Sequence, residues 1–269
     1  MRGLSKEDRQ AQILQQLRIA PALRVHELAA RFDVTTETIR RDLNHLHGTG
    51  RLSRTYGGAA PLPALTEPAL EERNQQMVSE RMAIAQAAAL CVEANDFLMM
   101  DAGSTNMHCA RALALLSLPL QVATNSLTIA NILAVNPAIK VLVMPGEYDA
   151  QQGMISGPET LEFILRYRAN KAIFSATAVS ATGVSDANRP LASIKRAMIT
   201  AADTLFLMMD HSKFDQRSVE TFCDLATIDR LFVDRLPAEG LLSALELARV
   251  DVQVAPVPRL RTDRSVESA

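Results

Sequence analysis

The sequence predicts an α/β protein: a small helical head followed by a body of alternating strands and helices. Three observations carry this. Residues 5–58 give three short helical segments with apolar stripes, then a basic hairpin with a glycine turn. Residues 60–70 (APLPALTEPAL) hold three prolines in eleven residues, the mark of a hinge. Beyond it, short apolar runs alternate with helical stretches, as in a parallel sheet covered on both faces. The expected organisation is a head at 1–59, a linker at 60–74, a body at 75–258 and a solvated tail at 259–269.

In the head, SKEDRQAQILQQLR (5–18) reads as a helix. Ser5 caps it, Glu7 and Asp8 suit its positive end, and Ile13, Leu14 and Leu17 form its stripe. VHELAARF (25–32) gives a second helix with Leu28, Ala29 and Phe32 inward. After Asp33-Val34, Thr35 or Thr36 caps a third helix running to about residue 47, with Ile39, Leu43 and Leu46 buried. Gly48 and Gly50 stop it, RLSRTY (51–56) is extended, and Gly57-Gly58 turns.

In the body, helices are expected at 75–94, 106–116, 127–135, 158–167 and 190–202. Strands running into loops are expected at 97–105, 120–126 and 140–147, and further strands at 172–179, 204–210, 230–234 and near 250–256. Met99-Met100 and Met208-Met209 lie within strands and read as core filler.

Composition narrows the function classes. The apolar fraction of 48% supports a large core, and the absence of Trp makes that core aliphatic. Cys91, Cys109 and Cys223 lie far apart, which argues for reduced thiols in a cytoplasmic chain. No apolar signal region or long apolar run is present, so no membrane partner is expected. The five histidines form no metal-ligand spacing, and neither a metal nor a cofactor is expected. Net charge is −2, but residues 1–60 hold ten basic against six acidic residues. A basic head on an acidic body points toward nucleic acid.

Helix, turn, helix is a simple way to enter a major groove. Thr35, Thr36, Glu37 and Thr38 lie at the exposed start of the third helix. Arg40 and Arg41 point outward, within reach of phosphates or guanine edges. Arg51 and Arg54 in the hairpin can meet the adjoining backbone or minor groove. A protein-contact domain with solvated arginines fits the same pattern. The text ELAARFDVTTETIRRDLNHLHGTGRLSRTYGGA, however, closely resembles the N-terminal domain of the DeoR family of bacterial sugar-metabolism regulators. That resemblance implies a winged helix-turn-helix, with 35–47 as recognition helix and about 50–58 as wing. It also implies double-stranded operator DNA as a partner.

In an open α/β sheet, ligands gather at the carboxyl ends of strands. Polar residues concentrate there in this chain: Asp101, Gly103, Ser104 and Thr105, then Thr124, Asn125 and Ser126, then Gly146 and Glu147, then Asp210 and Lys213. Gly103 permits close backbone approach, and the hydroxyls and helix start can cradle a phosphate. Lys195 can reach the same place as a point charge, although a solvated lysine fits too. These segments resemble the C-terminal half of the DeoR family, an α/β effector domain resembling the ribose-5-phosphate isomerase fold. The resemblance implies a phosphorylated sugar or related effector near Gly103, Ser104 and Thr105. Three departures stand out: Glu147 where the family has glycine, Ala176 where it has glycine, and Leu191 where an acidic residue often precedes the helix lysine.

The function expected is a DNA-binding regulator, a repressor of a carbohydrate operon working as a dimer or tetramer. Two other classes compete: a regulator with a degenerate sensor, and a sugar-phosphate isomerase. The isomerase would need paired acid–base groups. No sequence spacing forces a carboxylate pair together.

Overall fold

A computed structural model describes residues 5–17, 23–48, 52–55, 57–60, 70–255 and 257. Arg51 and residues 259–269, assigned above to the wing and the tail, lie outside the described residues.

The head begins with α1 (Lys6–Leu17), where Ser5 Oγ accepts the Asp8 backbone N–H at 3.1 Å and caps the helix. Strand β1 (Leu23–Arg24) follows, then α2 (Val25–Phe32). α2 ends on Asp33 in the left-handed region, φ 51°, a conformation that aspartate tolerates better than most residues. α3 (Thr36–Gly48) is capped by Thr35, whose Oγ1 accepts the Thr38 N–H at 3.2 Å, which decides between the two threonines. β2 (Ser53–Thr55) and β3 (Gly58–Ala60) complete the wing.

The wing is a three-stranded antiparallel sheet in the order β1-β3-β2, not the isolated hairpin read from sequence. Two residues between helices carry little periodicity, so β1 was not legible. Gly58 makes this sheet possible. A Cβ there would lie 2.0 Å from the Leu23 carbonyl oxygen. Ile13, Leu17, Leu28, Ile39, Leu43, Leu46 and Leu52 form the head's core. Each such burial contributes about 1.5–3 kcal/mol.

The body opens with α4 (Leu70–Asn74) and α5 (Val78–Ala89). Residues 70–74, read from sequence as the end of the linker, are thus helical, and Leu70 N–H donates to the Gln151 carbonyl at 3.2 Å. The chain continues through β4 (Phe97–Met100), α6 (Ser104–Ala114), β5 (Leu120–Thr124), α7 (Leu127–Leu133) and β6 (Ile139–Val143). Next come the hairpin β7 (Glu147–Asp149) and β8 (Met154–Ser156), α8 (Pro158–Leu165) and β9 (Ala169–Phe174). The chain ends with β10 (Ala178–Ser180), β11 (Gly183–Asp186), α9 (Arg189–Thr200), β12 (Ala202–Met209), β13 (Glu220–Cys223), β14 (Arg230–Val233), α10 (Glu239–Leu247) and β15 (Asp251–Val254). The single strand expected at 172–179 is two: β9 in the main sheet, and β10 in a small antiparallel sheet ordered β10-β11-β13.

The main sheet has seven parallel strands in the order β15-β14-β12-β9-β4-β5-β6. Strand alternation divides the core into two layers. Leu98, Met100, Phe206 and Met208 pack with α5, α6 and α7 on one face. Met99, Leu205, Leu207 and Met209 pack with α8, α9 and α10 on the other. The methionine pairs therefore serve both faces at once. From β4 the chain steps outward to β5 and β6, then returns to β9 and steps outward the other way. The strand order reverses between β4 and β9, where ligands bind in folds of this kind.

Candidate DNA-binding surface and effector site

On the head, burial of Ile39, Leu43 and Leu46 turns the opposite face of α3 to solvent. Thr35, Thr36 and Glu37 are exposed and Thr38 is half-exposed. The Arg40 and Arg41 side chains are 59% and 80% exposed. Glu37 lies 3.8 Å from Arg40 and 3.6 Å from Arg41, contacts loose enough for both arginines to exchange for phosphate. Arg54 lies on β2, in the wing.

Asp42, which the sequence reading passed over, fixes this surface from behind. It is 2% exposed and accepts from Arg9 Nε at 2.6 Å and Gln10 Nε2 at 2.9 Å, fastening α3 to α1. An aspartate on the buried side of an amphipathic helix was the signal for it.

In the body, the carboxyl ends of β4, β5, β6 and β12 carry the predicted polar segments. Asp101 follows β4 and is fully buried. Its Oδ1 accepts the Ser175 N–H at 3.3 Å and also bonds Asn106 Nδ2, joining β4 to β9 across the reversal point. At Gly103 the chain passes close to Ser175: a Cβ there would lie 2.7 Å from Ser175 Oγ and would force that hydroxyl to shift. Ser104 opens α6, and Thr105 is buried beside it.

Lys195 is not a mobile charge at the rim. It is 1% exposed, with Nζ 2.5 Å from Asp186 Oδ2 and 3.4 Å from Asp101 Oδ2. Its acidic partner lies nine residues earlier, at the end of β11, so Leu191 does not leave it unpaired. Burial raises the Asp101 carboxyl above its ordinary range, and nearby Lys195 offsets this only partly. Burial would raise Asp186 as well, but the charge and hydrogen bond of Lys195, with Asn188 N–H and the Thr177 hydroxyl, hold it below that range. Two carboxylates thus meet on one lysine, a pairing that no sequence spacing disclosed.

Asp210, at the end of β12, pairs with Arg81 Nε at 2.9 Å. Burial acts to raise its carboxyl, yet the charges of Lys213 and Arg81 and the Ser212 hydroxyl keep it low. Lys213 Nζ donates to the Ala176 carbonyl at 2.6 Å, which ties the β12 end to the β9 end. Arg81 was also missed by sequence reading. It is 3% exposed, on the inner face of alanine-rich α5, and Nη1 donates to Ser104 Oγ at 2.9 Å. A lone arginine among inward alanines was the legible trace.

The remaining predicted residues shape the rim. Asn125 accepts from Ala102 N–H at 2.8 Å and donates to the Ile155 carbonyl at 2.9 Å, docking the β7–β8 hairpin onto the sheet. Thr124 Oγ1 accepts the Ser126 N–H at 3.2 Å, and Ser126 caps α7. Gly146 has φ 139°, and a Cβ there would lie 2.5 Å from the Ser156 carbonyl. Glu147 is exposed on β7.

A winged head with an exposed recognition helix, followed by a doubly wound body whose polar residues gather at its strand ends, defines a two-domain DNA-binding transcriptional regulator. The chain belongs to the DeoR family. The DeoR-like helix-turn-helix domain matches residues 9–62, and the DeoR C terminal sensor domain matches residues 76–235. The transcriptional repressor CsqR of Escherichia coli (strain K12) is 31% identical over 252 residues, covering 93% of this chain and 95% of that protein. The glycerol-3-phosphate regulon repressor of the same organism is 29% identical, covering 81% of this chain and 87% of that protein. Among solved structures, ribose 5 phosphate isomerase A from Neisseria gonorrhoeae aligns with 51% of this chain and 53% of its own, at 17% identity and TM-score 0.38. Among the described residues, no helix is long and apolar enough to cross a membrane.

Proposed function

We propose that the chain represses a carbohydrate-use operon, and that a sugar phosphate or related metabolite bound at the strand-end rim sets its grip on operator DNA. The observation that carries this reading is the exposed face of α3. Arg40 and Arg41 stand free of the core there while Asp42 anchors the helix beneath them.

Thr35, Thr36, Glu37, Thr38, Arg40, Arg41, Arg51 and Arg54 are the proposed DNA-facing residues. The head is taken as residues 1–59, with α4 as the first element of the body. Two or more heads, joined by contacts between bodies, grip repeated half-sites. The effector shifts operator affinity by binding one arrangement of the heads better than another. The rim residues nearest the reversal point, from Asp101 to Thr105 with Ser175, form the proposed effector floor. Names such as glycerol-3-phosphate regulon repressor among the relatives support a phosphorylated effector.

The reading assigns no catalysis. An aldose–ketose isomerase needs a carboxylate base at its substrate. Here Asp186 is neutralised by Lys195, and Asp101 Oδ2 is sealed from solvent. Internal engagement of Lys195 and Lys213 favours a second reading, a regulator whose sensor no longer binds.

One experiment separates these. Duplexes selected from a random pool give the operator, and a thermal-shift panel of sugar phosphates and their unphosphorylated parents gives the ligand. A rise in melting temperature with a panel member supports the sensor through mass action. No rise with any member favours the degenerate sensor, and conversion of a sugar phosphate to product favours the isomerase.

A further inference from the structure

Arg81 belongs to none of the motifs that mark the rim, yet one guanidinium joins three chain segments. Nε donates to Asp210 at 2.9 Å, at the end of β12. Nη1 donates to Ser104 Oγ at 2.9 Å, at the start of α6, and to the Arg73 carbonyl at 2.6 Å, in α4. α4 is the first described element after the wing. Two further ties run to the turn after β7: Leu70 N–H to the Gln151 carbonyl at 3.2 Å, and Arg73 Nη2 to Gln152 Oε1 at 3.1 Å.

A guanidinium carries five N–H donors. Among the described residues, the hydrogen bonds of Arg81 run from Nε and Nη1, and none from Nη2. The buried Thr105 hydroxyl, one residue beyond Ser104, has no hydrogen-bond partner. Ser104 Oγ accepts from Arg81 and keeps its own proton to give. The first-turn N–H groups of the eleven-residue helix α6 lie beside them. A buried cation, the Ser104 hydroxyl and a helix start meet at one place, the donor set that an oxyanion needs.

We propose that Arg81 holds the anionic group of the effector together with Ser104, and so transmits occupancy of the rim to α4. This rests on the effector reading above. Drawing the guanidinium toward an anion competes with its bond to the Arg73 carbonyl. The Arg73 carbonyl then keeps only the longer bond from the Gln76 N–H, at 3.3 Å, and α4 loses its tie to α5, so α4 shifts. The coupling is reciprocal: whatever shifts α4 shifts anion affinity by the same factor.

The test uses the full chain and inorganic phosphate, with chloride at matched ionic strength as the control. In the wild type, phosphate raises the melting temperature and changes hydrogen exchange over residues 70–76. Arg81→Lys keeps a cation for Asp210 but cannot branch to three partners and an anion. Phosphate affinity should fall about tenfold, as for one charge-assisted hydrogen bond, and the exchange response should vanish. Ser104→Ala leaves the Arg81–Asp210 pair in place and should also weaken phosphate, which keeps the test open if the lysine variant does not fold. Either folded variant binding phosphate as tightly as the wild type, with the same change at 70–76, overturns the proposal. Wild-type binding without any change at 70–76 overturns the coupling and leaves the effector reading standing. A wild type indifferent to phosphate overturns the anion assignment. The effector reading then stands or falls with the sugar panel.

Discussion

The two halves of this chain treat arginine in opposite ways. In the head, among the described residues, Arg40 and Arg41 are paired with Glu37 alone, at 3.8 and 3.6 Å, with side chains 59% and 80% exposed. In the body, the Arg81 side chain is 4% exposed and bonds three partners. Exposed ion pairs contribute about 0–1 kcal/mol, so the head's arginines can change partner at little cost. A buried cation deprived of its carboxylate is far more expensive. The head presents charge to be exchanged, and the body buries charge as a lock on its own geometry. Even the head follows the second rule where it needs rigidity, as Arg9 and Asp42 show at 2.6 Å.

The largest expected effect tests the lock. Asp210→Ala strands Arg81 and should cost about 3–5 kcal/mol of body stability in urea denaturation. A loss under about 1 kcal/mol would mean the rim charges are solvated after all. The next effect belongs to the exchangeable half. Arg41→Ala should weaken operator binding by about 1–3 kcal/mol if it reads a base, with altered sequence preference. Stability should stay within about 0.5 kcal/mol of the wild type. A matching loss of stability would erase the contrast between the halves.

Arg40→Ala should flatten the salt dependence of DNA binding, lowering the slope of log affinity against log salt by about 1 if Arg40 meets a phosphate. An unchanged slope removes Arg40 from the backbone contacts. The smallest effect is one of pH. Burial first, then the charges of Arg111 and Arg81, push His108 down to about 4 from 6.5. The folded state resists a proton that the unfolded chain accepts, so His108 makes stability fall as pH drops from 6.5 toward 4 and has no such effect above 6.5. His108→Gln should flatten that part of the profile measured by thermal melts. An unaltered profile would show that His108 is solvated.

The sequence disclosed most where local periodicity decides structure. Ile39, Leu43 and Leu46 assigned the buried face of α3, and with it the exposed one. The alternation of apolar strands and helices assigned the parallel body. It disclosed least where partners are distant in the chain. β1 has two residues and exists only because Gly58 lets β3 approach it. Arg81 meets Asp210 across 129 positions, and no local pattern encodes that pairing. Asp186 was hidden because the lysine's acidic partner was sought on its own helix, at Leu191. Glu147 looked like a charge placed against an anion site. It is exposed on a hairpin, and its neighbour Gly146 keeps the conformation that only glycine adopts readily.

The central claim is that a ligand at the strand-end rim sets the head's affinity for DNA. Fluorescence anisotropy of the selected operator duplex, titrated with and without each member of the sugar-phosphate panel, tests it most directly. The account predicts that one member which raises the melting temperature also changes the operator Kd by about 5–150-fold, the usual span of allosteric coupling. A member that raises the melting temperature while leaving Kd unchanged would contradict it.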